Sequence, residues 1–186
     1  MNFKYLGNCD ISEIKNKIQN LPENVWDEYI FRQKQYDAHK DTKSINVKFS
    51  QESSEFGIEA DETKYYKLLG FNKFLNSIVN LYKLEYGDGY FQRILIVNLP
   101  KFKNIEMHYD VGYGLIICKR THIPIVTNDE ILFQIENETK NLKEGEIWEI
   151  DNQKSHAVYN QTNVDRIHLI LDYMPTKNNK TIKSLI

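Results

Sequence analysis

Apolar residues recur along this chain with two different periods, and the change falls near Gly89. In "ISEIKNKIQNL" (11–21) they stand at 11, 14, 18 and 21. That is the spacing of a helix face, with Asp10 or Ser12 near its start. From Asp61 to about Tyr86 the same spacing returns through Leu68, Phe71, Leu75, Ile78, Val79 and Tyr82. Gly70 is placed to divide this stretch into two helices, and "GDG" (87–89) to end it. Between the helical stretches, "SINVKFS" (44–50) alternates Ile45, Val47 and Phe49 as a strand does. "ENVWDEYIFRQKQ" reads either as a second, short helix or as an irregular arm.

Beyond Gly89 the period is two. Strands are predicted at 90–99, 104–110, 114–125, 131–135, 146–150, 156–160 and 165–173, with "TND" (127–129) and "KEG" (143–145) as turns. Short strands at such regular spacing predict an all-β sandwich or barrel, with the preceding helices covering one outer face. No internal repeat, low-complexity tract or linker interrupts the 186 residues. The expectation is therefore a single domain, 1–186: a helical N-terminal part plus a strand over 1–89, and a β core over 90–175.

Composition removes several classes of function. Basic and acidic residues number 24 and 26, for a net charge of -2, and no basic stripe marks a nucleic-acid surface. The opening "MNFKYLGNCDISEIKNK" lacks the apolar run and cleavage site of a signal peptide. Apolar runs such as "ILIV" (94–97) are far too short to cross a bilayer. Two cysteines, Cys9 and Cys118, fit a reducing cytoplasm without a disulfide framework. The expectation is a cytoplasmic protein that binds neither nucleic acid nor membrane.

Chemistry concentrates in the β half, which holds His108, His122, His156 and His168; the fifth histidine is His39. In "NIEMHYDVGYG" a strand would send His108 and Asp110 to one face. His156 follows after the chain has had room to cross a small barrel and return. Two histidines and one carboxylate in this His-x-Asp…His order form the facial triad of non-haem Fe(II) oxygenases, which leaves half of an octahedron open. Taken alone, a His-x-Asp pair is common on ordinary surfaces, and the remote His156 sharpens the signal.

Arginines extend the pattern. In "RIHLILDY" Arg166, His168 and Ile170 face one way, while Ile167, Leu169 and Leu171 form an apolar face suited to packing on helices. Arg166 would then point into the barrel, where a guanidinium is costly without an anion. A dicarboxylic cosubstrate such as 2-oxoglutarate supplies that anion and accepts a bidentate pair of bonds. Arg120 and His122 form a second i, i+2 pair, within reach of the chelating end of such a cosubstrate.

Taken together, "EMHYDVGYG" (106–114), "RTHIPIVTND" (120–129) and "GEIWEIDNQKSHAVYNQTNVDRIHLILDYM" (145–174) resemble the aspartyl/asparaginyl β-hydroxylase-like family of Fe(II)/2-oxoglutarate oxygenases. The resemblance runs from about Phe91 to Pro175, with weaker echoes in "DTKSINVKF" (41–49). It implies a mainly β fold, a double-stranded β-helix (a jelly-roll, cupin-like barrel) with the N-terminal helices packed on one face. It implies His108, Asp110 and His156 as catalytic iron ligands and Arg166 as the partner of the distal carboxylate of 2-oxoglutarate. Arg120 and His122 would contact the cosubstrate near the metal, and Arg93 stands where relatives often carry an arginine. Some family members work without the carboxylate ligand; this chain keeps it. Two departures are visible. Asn104 stands where relatives have glycine, and Val97 or Asn98 where some place a serine on the cosubstrate.

The activity this implies is hydroxylation of an amino-acid side chain, of Asp/Asn or Pro type, free or in a peptide, consuming dioxygen and releasing succinate and carbon dioxide. A free amino acid needs a carboxylate partner, for which His39, Arg32 and Arg93 are candidates. It also needs an ammonium partner, for which Asp37, Glu106 and Asp129 are candidates. A peptide needs a groove, bordered by Trp26, Tyr29 and Tyr36. The rival readings are a non-catalytic metal-binding cupin, for which "HAVYN" (156–160) gives a His-x-x-x-Asn, and a binding module that kept only the barrel.

Overall fold

A computed structural model describes residues 1–176. Ten strands form two antiparallel sheets. The larger has six strands in the order β1 (Phe3–Asn8), β8 (Glu146–Ile150), β5 (Lys119–Val126), β10 (Arg166–Pro175), β3 (Gly89–Leu99) and β2 (Lys43–Lys48). The smaller has four, β4 (Asn104–His108), β9 (His156–Tyr159), β6 (Leu132–Ile135) and β7 (Glu138–Lys140). Facing each other, they make the jelly roll of a double-stranded β-helix.

Alternation along the strands explains which residues enter the barrel. On β10, Ile167, Leu169 and Leu171 face outward and join β3's Ile94 and Ile96 and β5's Ile123 and Ile125 in one core cluster. That cluster is completed by α1 (Ser12–Gln19), α4 (Lys64–Leu69) and α5 (Phe71–Tyr86), which contribute Ile14, Ile18, Leu69, Phe71, Phe74, Ile78 and Tyr82. The residues between, Arg166, His168 and Ile170 on β10, Arg120 and His122 on β5, and Leu95 and Val97 on β3, are buried on the opposite face. A second cluster, with Phe3, Leu99, Ile105, Phe133, Ile135 and Val158, closes the barrel between the sheets.

Local chemistry sets the helix boundaries. Thr63 caps α4 by accepting from the Tyr65 amide. Gly70, at φ 75°, breaks the helical run into two as predicted, and Gly87, at φ 80°, ends it. The "ENVWDEYIFRQKQ" stretch holds both alternatives: a 3₁₀ turn over Glu23–Asp27, then α2 (Phe31–Gln35).

Two predictions need correction, and three elements were not foreseen. The strand expected over 114–125 begins only at Lys119, because Tyr113–Ile117 coils into the short helix α6. α6 packs on α3 (Gln51–Glu55), and a Cβ on Gly114 would overlap the Ser53 carbonyl oxygen. The strand expected over 104–110 ends at His108, so Asp110 lies in the following loop rather than beside His108 on a strand. β1, β7 and α3 carried no periodic signal and were not foreseen. β1 and β2 both come from the N-terminal part yet form the two edges of the larger sheet. Among the described residues, no helix is long and apolar enough to cross a membrane.

Candidate functional site

β4 and β9 are neighbours in the smaller sheet, and their register sets His108 opposite His156. A bulge between Ile105 and His108 turns the end of β4. The two imidazole centroids lie 4.3 Å apart. Each ring is held the same way: His108 Nδ1 lies 2.7 Å from the Glu106 carbonyl oxygen, and His156 Nδ1 lies 2.8 Å from that of Lys154. A carbonyl only accepts, so each Nδ1 carries the proton and each Nε2 keeps its lone pair. His108 Nε2 is buried and has no partner. This is the arrangement in which a backbone carbonyl orients a histidine ligand and fixes its tautomer.

Asp110 is anchored by its own amide, which donates to the Asn152 carbonyl at 3.1 Å. Its Oδ2 accepts from Arg120 Nη1 and, at 3.2 Å, from Asn152 Nδ2, and neither bond uses Oδ1. Burial by itself would raise the Asp110 carboxyl, but Arg120, His156, Arg32 and His108 together hold it well below the ordinary carboxylate range. The loop position therefore still delivers an ionised carboxylate beside the two rings.

His39 was not expected here as more than a candidate substrate contact. It is buried, and its ring meets that of His108 edge-on at 4.6 Å. Ligand atoms of His39, His108 and Asp110 all lie within 4.8 Å of one another, a trio that differs from the predicted one in omitting His156. Proton placement separates the two sets. Arg32 Nη2 lies 3.0 Å from His39 Nε2, and a guanidinium only donates. That leaves the proton of His39 on Nδ1 and no lone pair free for a metal, whereas His108 and His156 each keep one. The sequence offered His39 only as a candidate carboxylate contact, since it sits in a three-residue 3₁₀ turn, Asp37–His39, with no period of its own.

Arg166 lies deep in the barrel, 2 % exposed. Among the described residues it has no carboxylate partner. Nη2 donates to His168 Nδ1 at 2.9 Å, and the guanidinium lies 5.6 Å over the Phe133 ring. Burial pulls its pKa down to about 9. The His122 and His168 rings meet edge-on at 5.7 Å, and both are pushed well below the usual histidine range, by burial first and then by Arg166. Phe133, from β6, touches His122, His156 and Arg166 at once, and sequence reasoning had marked only its strand.

Arg120 departs from expectation in its partners. Its guanidinium is bound by Asp172, with Nε to Oδ1 at 2.8 Å and Nη2 to Oδ2 at 2.9 Å, as well as by Asp110. Arg93 grips the same Asp172 from the other side, with Nε to Oδ2 at 2.7 Å. Burial would raise Asp172, but Arg120 and Arg93 hold it down to about 2. Arg93 is therefore already neutralised.

Two cavities meet at this cluster. An inner one of about 30 Å³ is lined by His108, Asp110, His156, Arg120, His122 and Arg166, so all six predicted site residues border one space. Val97, at the position where some relatives carry serine, also borders it. An outer cavity of about 360 Å³ shares His108, Asp110 and Arg120 with the inner one. Tyr36 and Asp37 line the outer cavity, but Trp26 is core. Asp129 is an exposed partner of Lys143 at 2.7 Å, and Glu106 is exposed and lines neither cavity.

A jelly roll enclosing a histidine pair, a carboxylate and an unpaired guanidinium defines the class of 2-oxoglutarate-dependent hydroxylases. The aspartyl/asparaginyl β-hydroxylase family matches residues 8–175, and the chain belongs to that family. Among solved structures it is similar to a 2OG-Fe(II) oxygenase family oxidoreductase from Burkholderia pseudomallei, with TM-score 0.57, 12% identity, 72% of this chain covered and 68% of that one. It is likewise similar to a prolyl hydroxylase from Trichoplax adhaerens, solved with a hypoxia inducible factor peptide (TM-score 0.58, 12% identity, 95% and 84% covered). A viral collagen prolyl hydroxylase from Paramecium Bursaria Chlorella virus-1 gives TM-score 0.53 at 10% identity, with 93% and 95% covered. At these identities the likeness is one of fold. No curated protein matches the chain.

Proposed function

We propose that this protein hydroxylates an amino-acid side chain, of Asp/Asn or Pro type, free or in a peptide, with Fe(II) as metal and 2-oxoglutarate and dioxygen as cosubstrates. The observation that carries the reading is Arg166, a buried guanidinium with no carboxylate partner among the described residues, bordering the same space as His108, Asp110 and His156. The donor set suits the metal: two imidazole Nε2 atoms with lone pairs and one ionised carboxylate. When bound, Fe(II) supplies the oxygen activation that no side chain can perform.

The chain's own residues bind, orient and exclude water. Glu106 and Lys154 carbonyls hold the two ligand rings, and Asn152 and Arg120 hold the carboxylate. Arg166 receives the distal carboxylate of 2-oxoglutarate by exchanging its bond to His168 for a charge-assisted pair. The inner cavity is the size of about one water, so cosubstrate entry requires that exchange and a shift of neighbouring side chains. His122 borders the cosubstrate's space, and Arg120, clamped by Asp172, keeps Asp110 ionised. Phe133 and Val97 keep it dry.

The test is succinate release from 2-oxoglutarate by protein reconstituted anaerobically with Fe(II) and then exposed to air. Turnover that needs both metal and cosubstrate, and that is lost in His156→Ala, is the expected result. Metal binding without 2-oxoglutarate binding would instead point to a non-catalytic cupin.

A further inference from the structure

We infer that Arg32 and His39 form a second anion subsite, which receives the carboxylate of the substrate, and that the substrate is a small free carboxylic acid with an apolar body. This inference rests on the hydroxylase reading for its role in turnover, but not for its binding prediction.

Three guanidiniums line the outer cavity: Arg32, Arg93 and Arg120. Two are already neutralised inside the protein, Arg93 by Asp172 and Arg120 by Asp172 and Asp110. Arg32 has no ion pair among the described residues. Its Nη1 is buried and has no hydrogen-bond partner, and burial draws its pKa down to about 10. The stem is half-buried while the tip is enclosed. A guanidinium taken out of water in this way costs free energy until an anion reaches it.

His39 adds a second donor. Because Arg32 Nη2 donates to His39 Nε2, the ring proton is on Nδ1, which is also buried without a partner. Arg32 and His39 thus hold each other and leave the Arg32 Nη1 group and the His39 Nδ1–H unmet, and both residues line the outer and the inner cavity. A carboxylate has two oxygens and no donor, and it complements a pair of N–H groups of this kind. A neutral amide would place its own donor against one of them.

The remaining wall defines the body of the ligand. Phe31, Phe49, Leu95, Leu115 and Ile170 make an apolar stretch of the outer cavity beside the metal-ligand candidates, while Asp37 and Glu55 also border it and suit an ammonium group where the acid carries one. At about 360 Å³ the space lies at the small end of ligand sites and suits a single amino acid or similar acid rather than an extended chain. An internal Asn or Pro of a peptide brings no carboxylate to Arg32, and an internal Asp brings one only with an extended chain that the small outer cavity does not suit, so the subsite favours a free acid.

Binding is measured by calorimetry and thermal shift, without turnover, on the full-length protein, with and without Fe(II) and 2-oxoglutarate under anaerobic conditions. The probes are L-leucine, L-proline and isovalerate, each against its carboxamide, at up to roughly millimolar concentration. At least one acid should bind about tenfold or more tightly than its amide, the loss expected for one charge-assisted bond. Arg32→Met should remove that preference, and Arg32→Lys, which keeps the charge but not the fork, should recover part of it. Arg166→Met should keep the preference while losing 2-oxoglutarate. An intact preference in both folded Arg32 variants, equal binding of acid and amide, or no binding by any acid would overturn the proposal. Failure of the wild type to bind 2-oxoglutarate while the Arg32-dependent preference persists would defeat the oxygenase reading alone.

Discussion

Replacing Arg166 with methionine should make the ligand-free protein more stable while destroying its affinity for 2-oxoglutarate. The wild-type guanidinium is 2 % exposed and faces no carboxylate among the described residues, and burial alone lowers its pKa to about 9. At ~1.4 kcal/mol per tenfold change in protonation equilibrium, that depression corresponds to a penalty on the order of 4–5 kcal/mol. Methionine removes the charge and keeps most of the stem volume. It also forfeits the bond to His168 Nδ1, which costs about 1–3 kcal/mol once that nitrogen is left buried. The net expectation is a gain of roughly 1–4 kcal/mol, or about 2–16 °C in Tm for a chain of this size. The sign with pH follows from linkage. The folded-state pKa is depressed, so above about 9 the folded protein sheds its proton before the unfolded chain does. The wild-type penalty is therefore full below that pH and shrinks above it, and the gap between variant and wild type should narrow in alkali. Thermal denaturation across pH tests this. Saturating 2-oxoglutarate should raise the wild-type Tm, by about 2.7 kcal/mol of stability at a hundredfold excess over Kd, and leave the variant unmoved. A destabilised variant that still responds to 2-oxoglutarate would refute the idea that Arg166 is an uncompensated cation awaiting an anion.

The other predictions concern the ligand set, the ionic bridge and the packing that frames them. His108→Ala or His156→Ala should abolish succinate release and stoichiometric Fe(II) binding, read by metal analysis after anaerobic gel filtration, with little change in far-UV circular dichroism. Asp172→Asn strips two buried guanidiniums of their shared partner and should cost about 3–5 kcal/mol in a denaturant titration. Because Asp172 is held down to about 2, its contribution is present above the ordinary carboxylate range and lost as pH falls toward 2, so the wild-type advantage over Asp172→Asn should fade in acid. Gly114→Ala should cost roughly 3–5 kcal/mol or prevent α6 from seating on α3, since the new methyl meets the Ser53 carbonyl rather than a movable side chain. Limited proteolysis around residues 111–117 would reveal the loosened segment.

Much of the barrel was legible because its strands are two-faced. Ile167, Leu169 and Leu171 against Arg166, His168 and Ile170 is a statement about period alone, and the structure keeps those two faces apart. The break at Gly70 was equally local, a matter of left-handed backbone. Residues 113–117 misled because a short apolar helix and a short apolar strand have the same composition, and what decides between them is the glycine-lined seam with α3. β1 was missed because "FKYLGN" alternates weakly; it is a strand because β8 offers it an edge.

The sequence by itself determined the candidate site residues and the order in which they come: His108, Asp110, His156 and Arg166 at spacings a jelly roll can close upon. That information is local, since strand period and side-chain type need no partner to be read. Only the tertiary structure decided the state of each group. It neutralised Arg93 and Arg120 with Asp172, left Arg32 and Arg166 without carboxylates among the described residues, and brought His39 from an irregular N-terminal turn to His108. Charge compensation and tautomer depend on which groups meet at distances of a few ångströms, and those meetings join segments far apart in the chain that no periodicity connects.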